Sequence, residues 1–254
     1  MAAAKPPVYL ILGAAGSGRR EVLADLLEGR TEEGDEPVVL LSGEEAPDPA
    51  DGRLGAVLRW RWTPERTIDA AWPEGAGPIF FITDGRRNPM DQIEAFKSWL
   101  EAGGGELARV LCVVNCRLAE KNRPLAAWYD ACIHFSDVVL LNRREGVANK
   151  WLSDFRAHFA ALCYPCLFEL VKAGRVGNPA LILDPLALRM SHFFDAEKEW
   201  IVSNEAGEEI DPDDPDAADD DEELTAEAVE DPYMARNAGG RRIKELPDLA
   251  KYLE

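Results

Sequence analysis

Near the amino end, three glycines and two arginines fall close together in Gly13-Ala14-Ala15-Gly16-Ser17-Gly18-Arg19-Arg20. Glycines at this spacing let the backbone curl until several N–H groups point at one spot, and such a concave set of donors attracts an anion. The stretch fits the phosphate-loop pattern G-x-x-x-x-G-K-[S/T] at Gly13 and Gly18. Arg19 stands where the lysine belongs and keeps the charge on a planar fork. Arg20 stands where the Ser/Thr belongs, and a guanidinium cannot ligate Mg2+, which takes oxygen donors. The chemistry expected is phosphate binding with weak or no hydrolysis. The alternative is a strand–turn–helix whose glycines serve only geometry.

Such a loop works only if a strand delivers it and a helix leaves it. Val8 to Leu12 is an apolar run that stops at Gly13, and Val22, Leu23, Leu26 and Leu27 carry helical spacing after it. Pro37–Ser42, Leu54–Trp62, Pro78–Thr83, Leu107–Val114 and Asp137–Leu141 read as further strands. Helices are expected over about 90–102, 118–131 and 150–162. Short apolar strands alternating with amphipathic helices predict an α/β fold, a doubly wound and mainly parallel sheet with helices on both faces. Ligands of such sheets lie at the carboxyl ends of the strands, where Gly13, Thr83, Asn115 and Asn142 fall. Residues 181–194 read as a last strand and turn or as a packing segment. Leu58, Trp60 and Trp62 alternate as core or edge packing.

The whole chain narrows the classes. Its 254 residues carry a net charge of −19 and are 46% hydrophobic. That balance argues against nucleic acid or an anionic membrane as partner, and no uncharged apolar run is long enough to span a bilayer. Five cysteines with no export signal point to reduced thiols in a cytoplasm. Much of the charge lies in Glu208–Glu223, which has little to bury. The expected organisation is a phosphate-loop domain over 1–200, an acidic disordered segment over 205–231 and a short tail over 232–254 that could form a docking helix.

Three stretches at strand ends together resemble the CobW-type metallochaperone GTPases, within the phosphate-loop group that includes HypB and UreG. Gly13, Gly16 and Gly18 match the family's G-x-x-G-x-G-K-T-T, with Arg19-Arg20-Glu21 in place of K-T-T. Ile82-Thr-Asp-Gly-Arg-Arg-Asn-Pro89 resembles E-T-S-G-x-x-D-P, with Ile82 in place of the Glu. Phe135–Glu145 resembles A-D-x-x-x-x-N-K-x-D. The resemblance implies that Asn142 reads a guanine edge, that Arg143 stacks on the base and that Glu145 accepts from its N–H groups. It implies a GTP or GDP ligand held by Gly13, Ala14, Ala15, Gly16, Ser17, Gly18, Arg19 and Arg20. The family's C-x-C-C metal motif has no counterpart between Ser42 and Trp62, so no metal ligand is assigned.

Other candidates are weaker. Cys163-Tyr-Pro-Cys166 has C-x-x-C spacing but reads as structural thiols. His134, His158 and His192 are scattered. Asp84 is a candidate either for a Walker-B-like role on Mg2+ or for capping the next helix. Arg86, Arg87, Arg143 and Arg144 join Arg19 and Arg20 near the mouth of the sheet, as a polyanion site for a nucleotide or for the acidic tail, or as ordinary surface arginines. The reading is a GTP-binding, CobW-like protein with no catalytic residue assigned, acting as a switch or accessory factor. The alternative is a nucleotide-free pseudo-GTPase scaffold that engages a protein partner through its acidic tail.

Overall fold

The computed structural model describes residues 5–29, 36–195, 200–203, 209–210, 225–228 and 230–253. In chain order the main elements are β1 (Pro7–Leu12), α1 (Arg19–Glu28), β2 (Val38–Ser42), β3 (Ala56–Trp62), β4 (Ile68–Asp69), β5 (Ile79–Ile82), α2 (Pro89–Gly103), β6 (Glu106–Asn115), α3 (Cys116–Lys121), α4 (Leu125–His134), β7 (Val138–Asn142), α5 (Asn149–Ala161), β8 (Leu167–Leu170) and α6 (Pro179–Leu183). Eight strands form one sheet in the order β4-β3-β2-β5-β1-β6-β7-β8. Every neighbouring pair runs parallel except β3 with the two-residue β4. This is an α/β fold built on one mainly parallel sheet.

The central strands are apolar on both faces because both faces are covered. Tyr9 and Ile11 of β1 share a buried cluster with Val22, Leu23 and Leu26 of α1 and with Phe80 and Ile82 of β5. Burying each such aliphatic side chain contributes about 2 kcal/mol. Tyr9 pairs in register with Phe80, and their rings stack at 4.8 Å. On the other face Phe81 meets Trp60, Phe96 and Trp99 at 5.1, 5.2 and 5.3 Å. Trp60 is fully buried and donates from Nε1 to the Ile82 carbonyl at 2.9 Å, so it is a core residue. Leu58, of the same parity, remains 40% exposed toward the edge of the sheet.

Several expectations change. The helix expected over 118–131 is two helices, α3 and α4, because Pro124 cannot donate to a continuing turn and fixes the bend at Asn122–Pro124. Residues 181–194 form no strand. The short helix α6 leads instead into an irregular strap, held where Arg109 donates to the carbonyls of Leu181, Ile182 and Leu186. The fully buried Asp137 accepts from the N–H groups of Val110 and Leu188, at 2.7 and 2.6 Å, and from Arg189. β8 comes from Leu167–Leu170, in the stretch that follows the C-x-x-C pair.

The chain divides into two compact units, Met1–Met190 with Leu246–Glu254, and Ser191–Glu245. In the first, the described residues from Leu246 onward form one 3-10 turn, Leu249–Tyr252, with Leu249 buried, and no α-helix among them. In the second, β9 (Trp200–Ser203) pairs antiparallel with β10 (Glu209–Ile210) and β11 (Thr225–Ala228). Residues 209–210 and 225–228, expected to be disordered, are therefore strands, and most of the acidic stretch over 205–231 lies outside the described residues. The Arg236–Arg242 bridge closes a tight turn at Asn237–Gly240, and Lys244 sits 4.2 Å over the Tyr233 ring.

Candidate functional site

The glycine loop leaves β1 where the strand order reverses, between the branch that runs β5-β2-β3 and the branch that runs β6-β7-β8. In doubly wound sheets this is where a crevice opens. Gly18 is left-handed at φ 85° and precedes α1 with no side-chain cap. A Cβ on Gly18 would lie 2.5 Å from Asn142 Nδ2, so conformation and space both call for glycine there. The loop is held from two strand ends. Asn142 Nδ2 donates to the Ser17 carbonyl at 2.8 Å, and Asn115 Nδ2 to the Gly16 carbonyl at 3.4 Å.

Some of the loop's amides are used inside the protein. Ala15 N–H donates to the Gly85 carbonyl at 2.8 Å and Ser17 N–H to the Ala14 carbonyl at 3.1 Å. Gly16 and Gly18 line the adjoining cavity, and their N–H groups have no acceptor among the described residues. Val22 is the first residue of α1 to donate back along the chain, to Gly18, so the first-turn N–H groups have no partner within the helix. The Ser17 hydroxyl is fully buried and makes no hydrogen bond among the described residues.

Arg19 and Arg20 are only 5% and 7% exposed. The Arg19 stem passes close to Gly13, and its guanidinium donates to the Thr83 carbonyl and, at 2.5 Å, to Glu45 Oε1. Arg20 donates to Glu45 Oε2 at 2.6 Å, to the Ala46 carbonyl at 2.8 Å and to Asp51 at 3.0 Å. Glu45 also accepts from Gly85 N–H at 3.2 Å. Burial alone would push the Glu45 carboxyl up. The Arg19 charge, the Arg20 hydrogen bond and the Gly85 N–H outweigh it and hold the group below its usual range. Glu45 belongs to a loop whose composition is only that of a polar turn, so no local signal marks it.

The other expected residues separate. Arg143 adopts φ 52° and turns its guanidinium onto Glu21 at 2.9 Å, at the start of α1. It is engaged at the start of α1 rather than standing free to stack on a base. The Glu145 carboxylate is exposed, and Arg117 donates to its main-chain carbonyl at 3.0 Å. Asp84 accepts from Arg86 N–H at 2.9 Å and from Arg87 Nε at 3.1 Å, so its carboxylate closes the turn ahead of α2. Asn88, not Asp84, caps α2. Arg87 pairs with Glu44 at 2.7 Å, and Arg144 donates to the Val171 carbonyl. Arg86 is exposed, and its side chain has no partner among the described residues.

Ala15, Gly16, Gly18, Arg19, Arg20, Glu21, Glu45, Asp48, Arg86 and Arg143 border a cavity of about 220 Å³. Both cations and carboxylates line it. Of the C-x-x-C pair, Cys163 is exposed, while Cys166 is buried and its thiol is pushed up to about 12 by burial. Cys116 is raised to about 12 for the same reason, and Cys132 is raised too. Among the described residues no group of three or more His, Cys, Asp and Glu could hold a metal ion, and no helix is long and apolar enough to cross a membrane.

No family model and no curated protein matches the chain. Among solved structures it is similar to the signal recognition particle receptor FtsY from Elizabethkingia anophelis in complex with GDP, at 14% identity and TM-score 0.49, over 73% of this chain and 65% of that one. FtsY from Thermotoga maritima gives 14% and 0.46, over 73% and 69%. A Zn(II)-bound triple mutant of the YjiA GTPase gives 14% and 0.44, over 80% and 72%. The chain thus spans under two thirds of the first of these. Likenesses this distant say nothing of what the chain binds.

Proposed function

We propose that the chain binds a guanine nucleotide, GTP or GDP, at the Gly13–Arg19 loop without Mg2+-assisted hydrolysis, and that it serves as a switch or accessory factor. The observation that carries this reading is the loop itself. Gly16, Gly18 and the open first turn of α1 border a cavity, and a strand-end asparagine is tied to the loop carbonyl at Ser17. A helix start of this kind favours phosphate through its N–H groups and its dipole. The cavity, at about 220 Å³, is below the roughly 300 Å³ where small-molecule pockets begin. It has room for phosphate, and the base would lie outward, toward Asn142 and Glu145.

The surroundings of the loop argue against hydrolysis. Arg20 offers nitrogens where a metal would need oxygen, and those nitrogens are engaged by Glu45, Ala46 and Asp51. Asp84 is turned onto Arg87 and the Arg86 amide. A link to metal-cofactor handling comes only from the sequence resemblance to CobW-type proteins.

A second reading has an observation of its own. The Glu45 carboxylate between Arg19 and Arg20 supplies an internal anion, which suits a nucleotide-free scaffold that keeps the fold. Titration calorimetry with GTP, GDP and ATP, with and without Mg2+, separates the two. Guanine-selective binding that ignores Mg2+ supports the first. No heat from any nucleotide supports the second.

A further inference from the structure

We infer that Glu45 is an internal stand-in for a ligand phosphate, and that a phosphate entering the site displaces it and loosens Glu44 and Glu45, while Gly43 stays bonded to the Trp60 carbonyl at 2.8 Å. The inference deepens the binding reading above and rests on it for the identity of the natural ligand.

Three donors converge on the Glu45 carboxylate: Arg19 at 2.5 Å, Arg20 at 2.6 Å and the Gly85 amide at 3.2 Å. Two guanidiniums and a backbone N–H are the donor types that bind phosphate oxygens. They stand at the mouth of a glycine loop whose Gly16 and Gly18 border the same cavity. The Glu45 side chain is 8% exposed, yet its neighbours Gly43, Glu44, Ala46 and Pro47 are exposed. One buried carboxylate on an otherwise exposed loop is held there by the site, not by packing of the loop.

The exchange is possible because Arg20 divides its contacts. Its Nη2 holds Glu45, while its Nη1 holds the Ala46 carbonyl and Asp51. A phosphate that takes Arg19 and the Arg20 Nη2 leaves residues 46–51 tied, and only Glu44 and Glu45 need to move. Glu44 is paired with Arg87 on the outer side, at 2.7 and 2.8 Å, through a half-exposed contact that has to yield as Glu45 leaves. Charge favours the exchange as well. A carboxylate brings one negative charge, whereas a phosphate monoester brings about −1.5 to −2 at neutral pH. Arg86 borders the cavity, is exposed and has no side-chain partner among the described residues. It supplies the further positive charge. Arg143 is already shared with Glu21, and Asp48 closes the rim as a capping residue.

The test compares the full-length wild type with Glu45→Gln and Glu45→Ala, using inorganic pyrophosphate and GDP as probes in calorimetry and thermal melts. Glu45→Gln should bind both at least tenfold more tightly than wild type. Glu45→Ala should melt lower than wild type, and pyrophosphate should restore several degrees that sodium chloride at equal ionic strength does not. Hydrogen exchange at Glu44 and Glu45 in the wild type should speed up on saturation with pyrophosphate. Equal affinities in wild type and Glu45→Gln overturn the inference, and so does the absence of binding in both. If Glu45→Ala does not fold, Glu45→Gln decides. A wild type that binds no nucleotide beside a Glu45→Gln that does would remove the binding reading for the native chain and leave the inference standing. A wild type that binds GDP as tightly as Glu45→Gln would do the reverse.

Discussion

Arg19 Nη2 and Glu45 Oε1 meet at 2.5 Å, 26 residues apart in the chain, with both side chains under 10% exposed. The pair sets the character of the site. The position that carries a lysine in phosphate loops is here an arginine already engaged by a carboxylate, so any anion that enters competes with the protein's own.

Acid should weaken this arrangement. The Glu45 carboxyl is held below its ordinary value in the folded chain. A carboxyl so depressed contributes its full stabilisation above its unfolded pKa, about 4.3, and loses it as pH falls through the folded value. Melting temperature followed from pH 6 down to about pH 3 should therefore fall more steeply for the wild type than for Glu45→Gln. Parallel curves would mean that Glu45 is not depressed.

Gly85 should tolerate no side chain. A Cβ there would lie 2.3 Å from Ala15 N and 2.5 Å from Arg19 Nη2, while a Cβ at Gly16 meets nothing within 4 Å. Gly85→Ala should lose about 2 kcal/mol or more by urea unfolding, because backbone must move. Gly16→Ala, at φ 75°, should lose only about 1 kcal/mol. Equal losses would contradict the close approach of the two loops.

Restoring the consensus should not restore catalysis. The double substitution Arg19→Lys and Arg20→Thr removes the forks that hold Glu45, and breaking a buried pair of this kind costs about 3 kcal/mol. Mg2+-dependent GTP turnover should stay at the wild-type level, since Ile82 and the turned-in Asp84 remain. Turnover that rises with Mg2+ would show that the arginines alone had suppressed hydrolysis.

Native thiol titration with Ellman's reagent at pH 7.5 should give one fast equivalent, from Cys163, and five after denaturation. Cys112, Cys116, Cys132 and Cys166 are buried, and the raised thiols of Cys116, Cys132 and Cys166 have little thiolate at that pH. A second fast equivalent would mean that the C-x-x-C pair opens together.

Asp137→Ala should cost about 3 kcal/mol through loss of its bonds to Val110, Leu188 and Arg189, with little effect on ligand binding, because it ties the strap to the amino ends of the strands. A melting temperature within a degree of wild type would contradict that role.

Much of the fold was legible in the sequence. The runs at Val8–Leu12, Pro78–Thr83, Leu107–Val114 and Asp137–Leu141 are strands because a sheet covered on both faces asks for continuous apolar residues, and that is a local signal. The loop from Gly13 to Gly18 was legible for the same reason, since left-handed turns ask for glycine. The break at Pro124 was misread because such a break is settled by neighbours, not by periodicity, and nothing in the short, Glu-containing stretch of β8 marked it as an edge strand. The state of the site was not legible at all. Glu45 lies in a polar turn, Arg143 was expected to face a base, and Asp84 could have faced a metal. Which carboxylate meets which guanidinium depends on loops brought together from β1, β2, β5 and β7. Composition and spacing determined that an anion could be held here, because that needs only glycines, a helix start and cations. Tertiary structure alone decided that the first anion is Glu45, because pairing charges is a matter of distance in space and not of order along the chain.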